Sequence, residues 1–352
     1  MITDVVKIFV PTFAAFFVGM TVTPFLTYYL FKYKMWKKKS VERSIDGTAS
    51  TISASLHRDE EKKTPRMGGV VIWTSVALTT LLFFFLARLT PDFAKLDFLS
   101  RSQTWLPLFT LLVGALIGLI DDFLVVSGGS GKGGYVGGGL PLSVRIGSVI
   151  AIGFAGAWWF YFKLGVSAID IPFLGGLELG FLFIPFFMIV MLAIYSGGVI
   201  DGIDGLSGGI LATIFTAYSL IAFFQNQIDL AAFSAVVVGG ILAFLWFNIP
   251  PARFYMSETG ILALTTSLTV VAFLTAEVVV LPIIALPLFI SSGSVILQIL
   301  SKRFRHGKKI FLVAPIHHHF EAMGWPGYKV TMRFWIVGVI CAILGTVIAL
   351  LG

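Results

Sequence analysis

The stretch Gly118-Leu119-Ile120-Asp121-Asp122-Phe123 sets two adjacent acidic residues at the end of a long apolar segment. Residues 105–120 carry no charge, so the pair is predicted to lie at the end of a membrane-spanning helix. Ionisable groups are costly at such a depth, and where they occur they usually face a cavity and serve a function. Two neighbouring carboxylates also repel each other, which favours a shared proton or a bound cation. A solvated Asp pair at a helix end is the alternative for the dipeptide alone.

The composition is that of an integral membrane protein. Of the 352 residues, 57% are hydrophobic and 12% are charged, whereas soluble domains are about 25% charged. The first apolar run, 8–31, is long enough to span a bilayer and lacks a signal-peptide cleavage site, so it is predicted to be a retained helix. The single cysteine, Cys341, excludes an intrachain disulfide. The net charge of +7 does not indicate nucleic-acid binding, because the basic residues cluster in loops beside the spans.

Apolar runs predict an all-α integral membrane protein, a single domain over 1–352 with about ten transmembrane helices. The predicted spans are 8–31, 67–87, 105–124, 143–162, 181–199, 205–224, 231–248, 259–277, 279–301 and 331–351. The fifth is short, and Pro282 and Pro287 predict a kink or break early in the ninth. Of the 25 Lys and Arg residues, twenty lie in or at the border of a connection from an odd-numbered span to the next even-numbered one. The positive-inside rule therefore places these loops in the cytoplasm and both termini outside, on the periplasmic face.

Acidic residues gather on the predicted cytoplasmic side. They come from four separate connections and are Asp121, Asp122, Asp201, Asp204, Glu258 and Glu321. A transporter would more naturally carry such groups near the bilayer midplane. This distribution indicates a cleft open to the cytoplasm, in which a water-soluble substrate meets a lipid one.

A glycine-rich segment, 127–139, invites comparison with a phosphate-binding loop. It follows a membrane helix rather than a strand, and Gly133 stands after Lys132 where such a loop requires Ser or Thr. A flexible cytoplasmic linker explains the segment better.

Two further acidic motifs have both a functional and an ordinary interpretation. The motif Asp201-Gly202-Ile203-Asp204-Gly205 puts two Asp residues three apart, which share a face on a helical turn. Its glycines let the backbone pass close to a ligand, and a Gly/Asp turn between two helices is the alternative. Glu258 opens the eighth span, where an acidic residue is also ordinary helix capping.

Three consecutive histidines, His317, His318 and His319, lie in the basic loop before the last span. Such a run suggests metal binding, but helical spacing points the three rings apart, which disfavours a three-His zinc site. Imidazoles that hydrogen-bond phosphate oxygens fit this loop better.

Six motifs occur in order along the chain. They are Thr64-Pro65-Arg66-Met67-Gly68-Gly69, Asp121-Asp122, Asp201-Gly202-Ile203-Asp204-Gly205, Trp246-Phe247-Asn248, Met256-Ser257-Glu258-Thr259-Gly260 and Ala314-Pro315-Ile316-His317-His318-His319-Phe320-Glu321. Together they resemble the MraY family, the phospho-N-acetylmuramoyl-pentapeptide transferases of the polyprenyl-phosphate N-acetylhexosamine-1-phosphate transferase superfamily. The resemblance implies a multi-pass protein of the bacterial inner membrane, a homodimer. With Mg²⁺ it would join UDP-MurNAc-pentapeptide to undecaprenyl phosphate and release UMP.

The resemblance also implies a role for each matched residue. Asp121 and Asp122 would bind and activate the lipid phosphate, and Asp201 and Asp204 would lie at the nucleotide and cation site. Glu258 takes the position of an Asp that contacts Mg²⁺, so the implied metal ligands are Asp122, Asp204 and Glu258. The implied catalytic residues are Asp121, Asp122, Glu258 and His317. The implied substrate contacts, with Tyr255 under the uracil, are Lys62, Lys63, Asn248, Tyr255, Asp201, Asp204, His318 and His319, and Lys62, Lys63 and Arg145 would offset phosphate charge.

Three departures from the family pattern distinguish this chain. Tyr195 and Gly198 stand where the family has Asn, and Arg66 stands where it has Thr. Glu258 replaces an Asp, which moves the carboxylate outward by about 1.5 Å. Because Mg²⁺ requires tight distances, metal placement is expected to differ. A divergent active enzyme is expected over an inactive homologue, and two rivals stay open: a transferase for UDP-GlcNAc or another UDP-sugar, and a transporter or lipid-binding protein.

Overall fold

The computed structural model of the protein describes residues 2–37, 64–128 and 138–352, and this part of the chain is mainly helical. Its α-helices are α1 (Ile2–Lys32), α2 (Gly69–Leu89), α3 (Trp105–Ser127), α4 (Leu142–Trp158), α5 (Phe183–Ser196), α6 (Leu206–Phe224), α7 (Ile228–Asn248), α8 (Ser257–Leu274), α9 (Leu281–Ile284), α10 (Leu286–Phe304), α11 (Ile316–Ala322) and α12 (Gly327–Leu351). Short 3₁₀ turns cover Pro91–Leu96, Gly180–Leu182 and Gly197–Ile200, and a π turn, Trp159–Lys163, continues α4. A two-stranded antiparallel hairpin, β1 (Ala168–Ile171) and β2 (Gly175–Glu178), adds a small sheet to the predicted all-α fold.

Nine helical segments of the described chain are long and apolar enough to cross a membrane. They confirm a multi-pass helical membrane protein. The fifth predicted span is short, as expected, since α5 is 14 residues long and is extended by 3₁₀ turns at both ends. The ninth predicted span, 279–301, is broken: α9 ends at Ile284 and α10 begins at Leu286, beside the two prolines that predicted the break.

Helix α10 is not among the nine because its inner face is polar. The buried side chains on this face are mainly Ser291, Ser292, Ser294, Gln298 and Ser301. They hold the chain that leads to α11: Gln298 Oε1 accepts the N–H groups of Ile310 and Phe311 at 3.0 and 3.1 Å, and Ser294 Oγ accepts that of Ile316 at 2.9 Å. The polar face of α10 therefore positions the histidine helix.

The centre of the bundle is α8, and α1 lies at its periphery. In the apolar window of each helix, 89% of α8 is buried against 22% of α1. Helix α1 leaves Phe9, Phe13 and Phe17 exposed, as expected for a helix that faces lipid. The functional motifs at the start of α8 are thus built on the most enclosed helix.

Helices α3 and α8 approach so closely that only glycine fits between them. A Cβ placed on Gly118 would collide with the backbone carbonyl of Glu258, and one on Gly114 would lie 2.7 Å from the carbonyl oxygen of Leu262. Small residues four apart permit this kind of contact between membrane helices. Hydroxyls of α8 then donate to carbonyls of α3, from Thr259 to Ala115 at 3.1 Å and from Thr266 to Thr110 at 3.0 Å. The seam brings Asp121 and Asp122, one turn beyond Gly118, beside Glu258.

A second close contact brings the segment before α2 to the start of α8. Tyr255 N–H donates to the Pro65 carbonyl at 2.9 Å, and Gly68 and Gly69 donate to the carbonyls of Tyr255 and Met256 at 2.7 and 3.1 Å. Three main-chain hydrogen bonds fix the two segments to each other, so Arg66 is delivered to the same place as the acidic residues.

We expect Gly118→Ala to destabilise the protein, because the added methyl group overlaps the α8 backbone, which cannot move aside as a flexible side chain would. Overpacking of this kind costs about 1–3 kcal/mol. The measurement is the apparent melting temperature of purified protein in detergent. Gly147→Ala on α4 is the matched control, since its Cβ would meet nothing within 4 Å. Equal melting temperatures for the two variants would contradict the close packing.

Candidate active site

The acidic pair on α3 is buried and its two members have different partners. Asp122 Oδ1 accepts a hydrogen bond from Arg66 Nε at 3.1 Å, and Oδ2 accepts one from the Thr259 N–H at 3.0 Å. Asp121 Oδ1 accepts the Leu140 N–H at 2.6 Å. Among the atoms of the described residues, Asp121 Oδ2 has no hydrogen-bond partner. The solvated Asp pair is thereby excluded, since both side chains lie inside the protein.

Arg145 of α4 joins Asp121 to Glu258. Its Nε lies 3.0 Å from Asp121 Oδ1, and its Nη1 lies 2.8 Å from Glu258 Oε1. Tyr195 adds a further contact, since its hydroxyl donates to Glu258 Oε2 at 3.3 Å. Two arginines, Arg66 and Arg145, thus stand against three carboxylates. Such pairing is what makes buried charge tolerable, because an isolated ion away from water is very unfavourable.

The segment 201–205 is a non-helical turn, so the two Asp residues do not share a helical face as the sequence predicted. Asp201 Oδ1 accepts the Ser207 hydroxyl at 2.6 Å, and Oδ2 accepts the Ser257 N–H at 2.9 Å. Asp204 Oδ2 accepts the Ala252 N–H at 2.8 Å. Although they bond different segments, both carboxylates line one cavity.

Asn248 and α12 hold this turn in place. Asn248 Oδ1 accepts the Gly205 N–H at 2.9 Å, while its Nδ2 donates to the Phe254 carbonyl at 2.8 Å. From α12, Thr331 donates to the carbonyl of Asp204 and Trp335 Nε1 to that of Gly205, both at 3.1 Å. Asn248 is buried and supports the turn as well as lining the cavity.

The histidines of α11 separate into two groups. A Cβ on Gly202 would lie 2.5 Å from His318 Nε2 and 2.8 Å from His317 Nε2, so both imidazoles lie against the 201–205 turn, which has room only for glycine there. His318 Nδ1 lies 2.6 Å from Glu321 Oε2. His319 turns away: its Nδ1 accepts the Leu312 N–H at 3.1 Å, and its ring packs on Phe311.

The cavity has a volume of about 510 Å³. Its wall includes the predicted site residues Asp201, Asp204, Asn248, Tyr255 and His318, together with Arg66. Asp122 lies behind Arg66, and Glu258 follows Ser257, which lines the cavity. The structure thus brings the motifs of α3, the 201–205 turn, α8 and α11 together. Of the predicted residues in the described chain, Asp121, Asp122, Glu258 and His317 do not line the cavity, and His319 turns away from it. Lys62, Lys63 and Lys132 fall outside the described residues.

The donor chemistry of this site suits Mg²⁺. Carboxylate oxygens are the protein ligands that Mg²⁺ takes, and in phosphate sites one or two of them suffice, since phosphates and water complete the octahedron. Across residues 2–37, 64–128 and 138–352, no three His, Cys, Asp or Glu side chains are already arranged around a cation position. Asp201, Asp204 and Glu321 are the carboxylates on the cavity wall. The set Asp122, Asp204 and Glu258 stays a prediction.

Burial changes the ionisation of groups on the cavity wall. Burial raises the pKa of Asp201 above its usual value near 3.8, although hydrogen bonds from Ser207 and Ser257 and the charge of Arg66 oppose the rise. For Arg66, burial disfavours the charged form, but the carboxylates of Asp122, Glu258 and Asp201 hold its pKa above the usual value. Arg66 is therefore a permanent cation next to a carboxylate that is reluctant to ionise.

Sequence reasoning missed the structural roles of Arg66, Arg145 and Tyr195. Arg66 and Tyr195 were visible only as departures from the family pattern, and Arg145 only as a basic residue that offsets phosphate charge. The available signal was that Arg66, Tyr195 and Glu258 depart from the family pattern together in one chain. No local spacing connects these residues, which are 63 and 113 positions apart in the pairs Tyr195–Glu258 and Arg145–Glu258.

Comparison with known proteins shows what the chain is similar to. The family model described as glycosyl transferase family 4 matches residues 104–276. A phospho-N-acetylmuramoyl-pentapeptide-transferase of Geobacillus sp. is 38% identical over 298 residues, which cover 82% of this chain and 85% of the relative. Proteins of the same name from Listeria innocua and Chloroflexus aurantiacus are 33% and 32% identical, cover 82% of this chain, and are themselves covered to 86% and 77%.

We expect Arg145→Gln to lower stability by roughly 3 kcal/mol, the lower end of the range for removing one partner of a buried ion pair. The loss arises because Asp121 and Glu258 are left without their shared cation. The double variant Arg145→Gln/Asp121→Asn should recover part of it. Thermal denaturation in detergent measures both, with the exposed Arg101→Gln as control. If the melting temperature of Arg145→Gln is no lower than that of the control, the ion pairs of Arg145 contribute nothing to stability.

The raised pKa of Asp201 predicts a pH-dependent stability difference between wild type and Asp201→Asn. A carboxyl whose pKa is higher in the folded state contributes stability below the unfolded pKa and loses it as pH rises through the folded pKa. The variant has no such group, so its melting temperature relative to wild type should rise from pH 4 towards pH 8, a range that starts at the usual Asp value near 3.8. Ser207→Ala removes a hydrogen bond to the carboxylate and should steepen the wild-type dependence. A flat difference over this range is the contrary result.

Proposed function

This chain belongs to the phospho-N-acetylmuramoyl-pentapeptide transferase family, and from that premise we propose that it transfers phospho-MurNAc-pentapeptide from UDP-MurNAc-pentapeptide to undecaprenyl phosphate. The products are lipid I, a peptidoglycan precursor, and UMP. The observation that supports this most is the position of Asp121 and Asp122. They lie at the end of a membrane helix, where Asp122 pairs with Arg66, a residue on the wall of a polar cavity.

That position suits a reaction between a lipid and a nucleotide. The lipid phosphate reaches the end of α3 along the membrane, while the nucleotide enters the cavity from the cytoplasm. We infer that the cavity faces the cytoplasm of a bacterial inner membrane, with both termini outside, because the loops around it carry most of the Lys and Arg residues. Helix α10, with 19 residues, is about 28 Å long and supplies a tenth crossing.

The chemistry is phosphoryl transfer between two anions, so neutralising charge and aligning the reactants are the main tasks. Asp201 and Asp204, with Asp122 and Glu258 behind the wall, would hold Mg²⁺. A divalent ion held there would supply positive charge that neutralises the diphosphate and the departing UMP. Arg145 and Tyr195 keep the carboxylate of Glu258 oriented. His318, whose Nδ1 contacts Glu321, lies beside Gly202, where its imidazole would contact a phosphate oxygen.

Asp121 is the best-placed proton acceptor. Asp122 has both oxygens engaged, by Arg66 and by the Thr259 N–H, whereas Asp121 Oδ2 has no partner within the described residues. The second proton of a phosphate monoester has a pKa of about 6, so its transfer to a carboxylate costs little free energy. The Tyr255 ring, on the cavity wall, provides a surface for the uracil. The family resemblance also suggests a homodimer, which light scattering of the purified protein tests.

Purified protein in detergent should release UMP and form lipid I from UDP-MurNAc-pentapeptide, undecaprenyl phosphate and Mg²⁺. Asp121→Asn should lower kcat by about 10²–10⁴, the range for loss of a proton-transfer group. Chelation of divalent cations should stop the reaction and added Mg²⁺ should restore it. The control is Asp92→Asn, which alters an exposed residue in the turn after α2.

A donor panel separates the rival functions. UMP release from UDP-GlcNAc but not from UDP-MurNAc-pentapeptide would identify a related transferase. No UMP from any UDP-sugar, with lipid or substrate still bound, would identify a transporter or lipid-binding protein.

A further inference from the structure

Arg66 is held rigidly at the wall of the cavity. Its own N–H donates to the Met35 carbonyl at 2.8 Å, and the residues on either side are fixed by the hydrogen bonds between Pro65 and Tyr255 and between Gly68 and Tyr255. Its position therefore does not depend on its side chain finding a partner.

Toward the residues that the structure describes, the Arg66 side chain uses only the Nε edge of its guanidinium. Nε donates to Asp122 Oδ1 at 3.1 Å, and within the described chain the two Nη groups donate no hydrogen bond to protein. The side chain keeps 24% of its surface exposed and lines the cavity. A guanidinium carries five N–H donors, so four of them are available to a ligand.

The acidic residues around Arg66 make its positive charge important for binding an anion. The same wall carries the carboxylates of Asp201, Asp204 and Glu321, which repel an anionic ligand, and one further basic residue, Lys37. A guanidinium fork matches two oxygens of a phosphate, and such charge-assisted pairs are stronger than neutral hydrogen bonds. A single residue that offsets the acids and presents a fork is suited to admit a phosphate group.

The structure assigns to Arg66 a role beyond its pairing with Asp122: its free Nη groups bind phosphate oxygens of a substrate, so that one guanidinium connects the bound phosphate to the Asp122 carboxylate. The inference rests on the proposed function, which supplies two phosphate sources, the diphosphate of the donor and the phosphate of the lipid acceptor. Arg66 would then contact the substrate phosphate with its Nη groups and Asp122 with its Nε.

The test compares wild type, Arg66→Gln and Arg66→Lys, with Arg305→Gln, an exposed arginine of the loop after α10, as control. Binding to the purified protein is measured in two arms. One compares UDP with uridine, and the other compares a short-chain polyprenyl phosphate with the corresponding polyprenol. The dissociation constant of uridine divided by that of UDP, and that of polyprenol divided by that of polyprenyl phosphate, each isolate the contribution of the phosphate. Uridine binding reports that the site is still folded.

Loss of a charged hydrogen-bonding partner should reduce one of these ratios about ten- to a hundred-fold in Arg66→Gln, with a smaller loss in Arg66→Lys, which keeps the charge without the fork. A fall in the first arm identifies the donor diphosphate, and a fall in the second identifies the lipid phosphate. If Arg66 only supports Asp122, kcat falls while both ratios stay at the wild-type value, and the inference is overturned.

A second measurement needs no variant. Phenylglyoxal modifies arginine, and mass spectrometry follows Arg66 in wild-type protein. UDP or polyprenyl phosphate should slow the modification, whereas uridine and polyprenol should not. Absence of protection by both phosphates overturns the inference. Failure of the proposed function is recognised separately, because wild-type protein would then release no UMP.

Discussion

The contact on which the site depends is the backbone-to-backbone approach of α3 and α8. Gly114 and Gly118 have no side chain between the helices, so the carbonyls of α8 fill that space. Hydroxyls of Thr259 and Thr266 then bond across the seam. In a membrane, where burial of apolar surface gives little preference for one helix neighbour over another, such packing and hydrogen bonding decide which helices pair. Asp121, Asp122 and Glu258 lie close to one another because α3 and α8 meet without side chains between them.

The charges in the site are balanced by residues from distant segments. Asp122 is paired with Arg66 from before α2, and Asp121 and Glu258 share Arg145 from α4. Glu258 in place of Asp is understandable in this arrangement, because its longer side chain meets Arg145 on one oxygen and Tyr195 on the other. Of the departures from the family pattern, Tyr195 and Glu258 are therefore in direct contact, and Arg66 neutralises Asp122, the neighbour of Asp121 in the chain.

Much of this architecture could be predicted from the sequence, and the features that could not be predicted were missed for identifiable physical reasons. Apolar length gave nearly every span, and Pro282 and Pro287 predicted the break at α9. The hairpin after α4 was missed, since β1 and β2 are only four residues each. The acidic motifs were recognised individually, but the side chains that neutralise them lie 24 to 113 positions away. Pairing across the fold leaves no local pattern, and neither do the hydrogen bonds from Thr331 and Trp335 to the 201–205 turn.

The bond from Trp335 to the carbonyl of Gly205 has an optical consequence. The indole ring lies directly over Gly209, where an added Cβ would overlap it, and its N–H is committed to the turn that carries Asp201 and Asp204. Indole emission depends on the polarity and hydrogen bonding around the ring. Any rearrangement of the 201–205 turn alters both at once, so the emission wavelength of Trp335 reports the state of the cavity wall that carries Asp201 and Asp204.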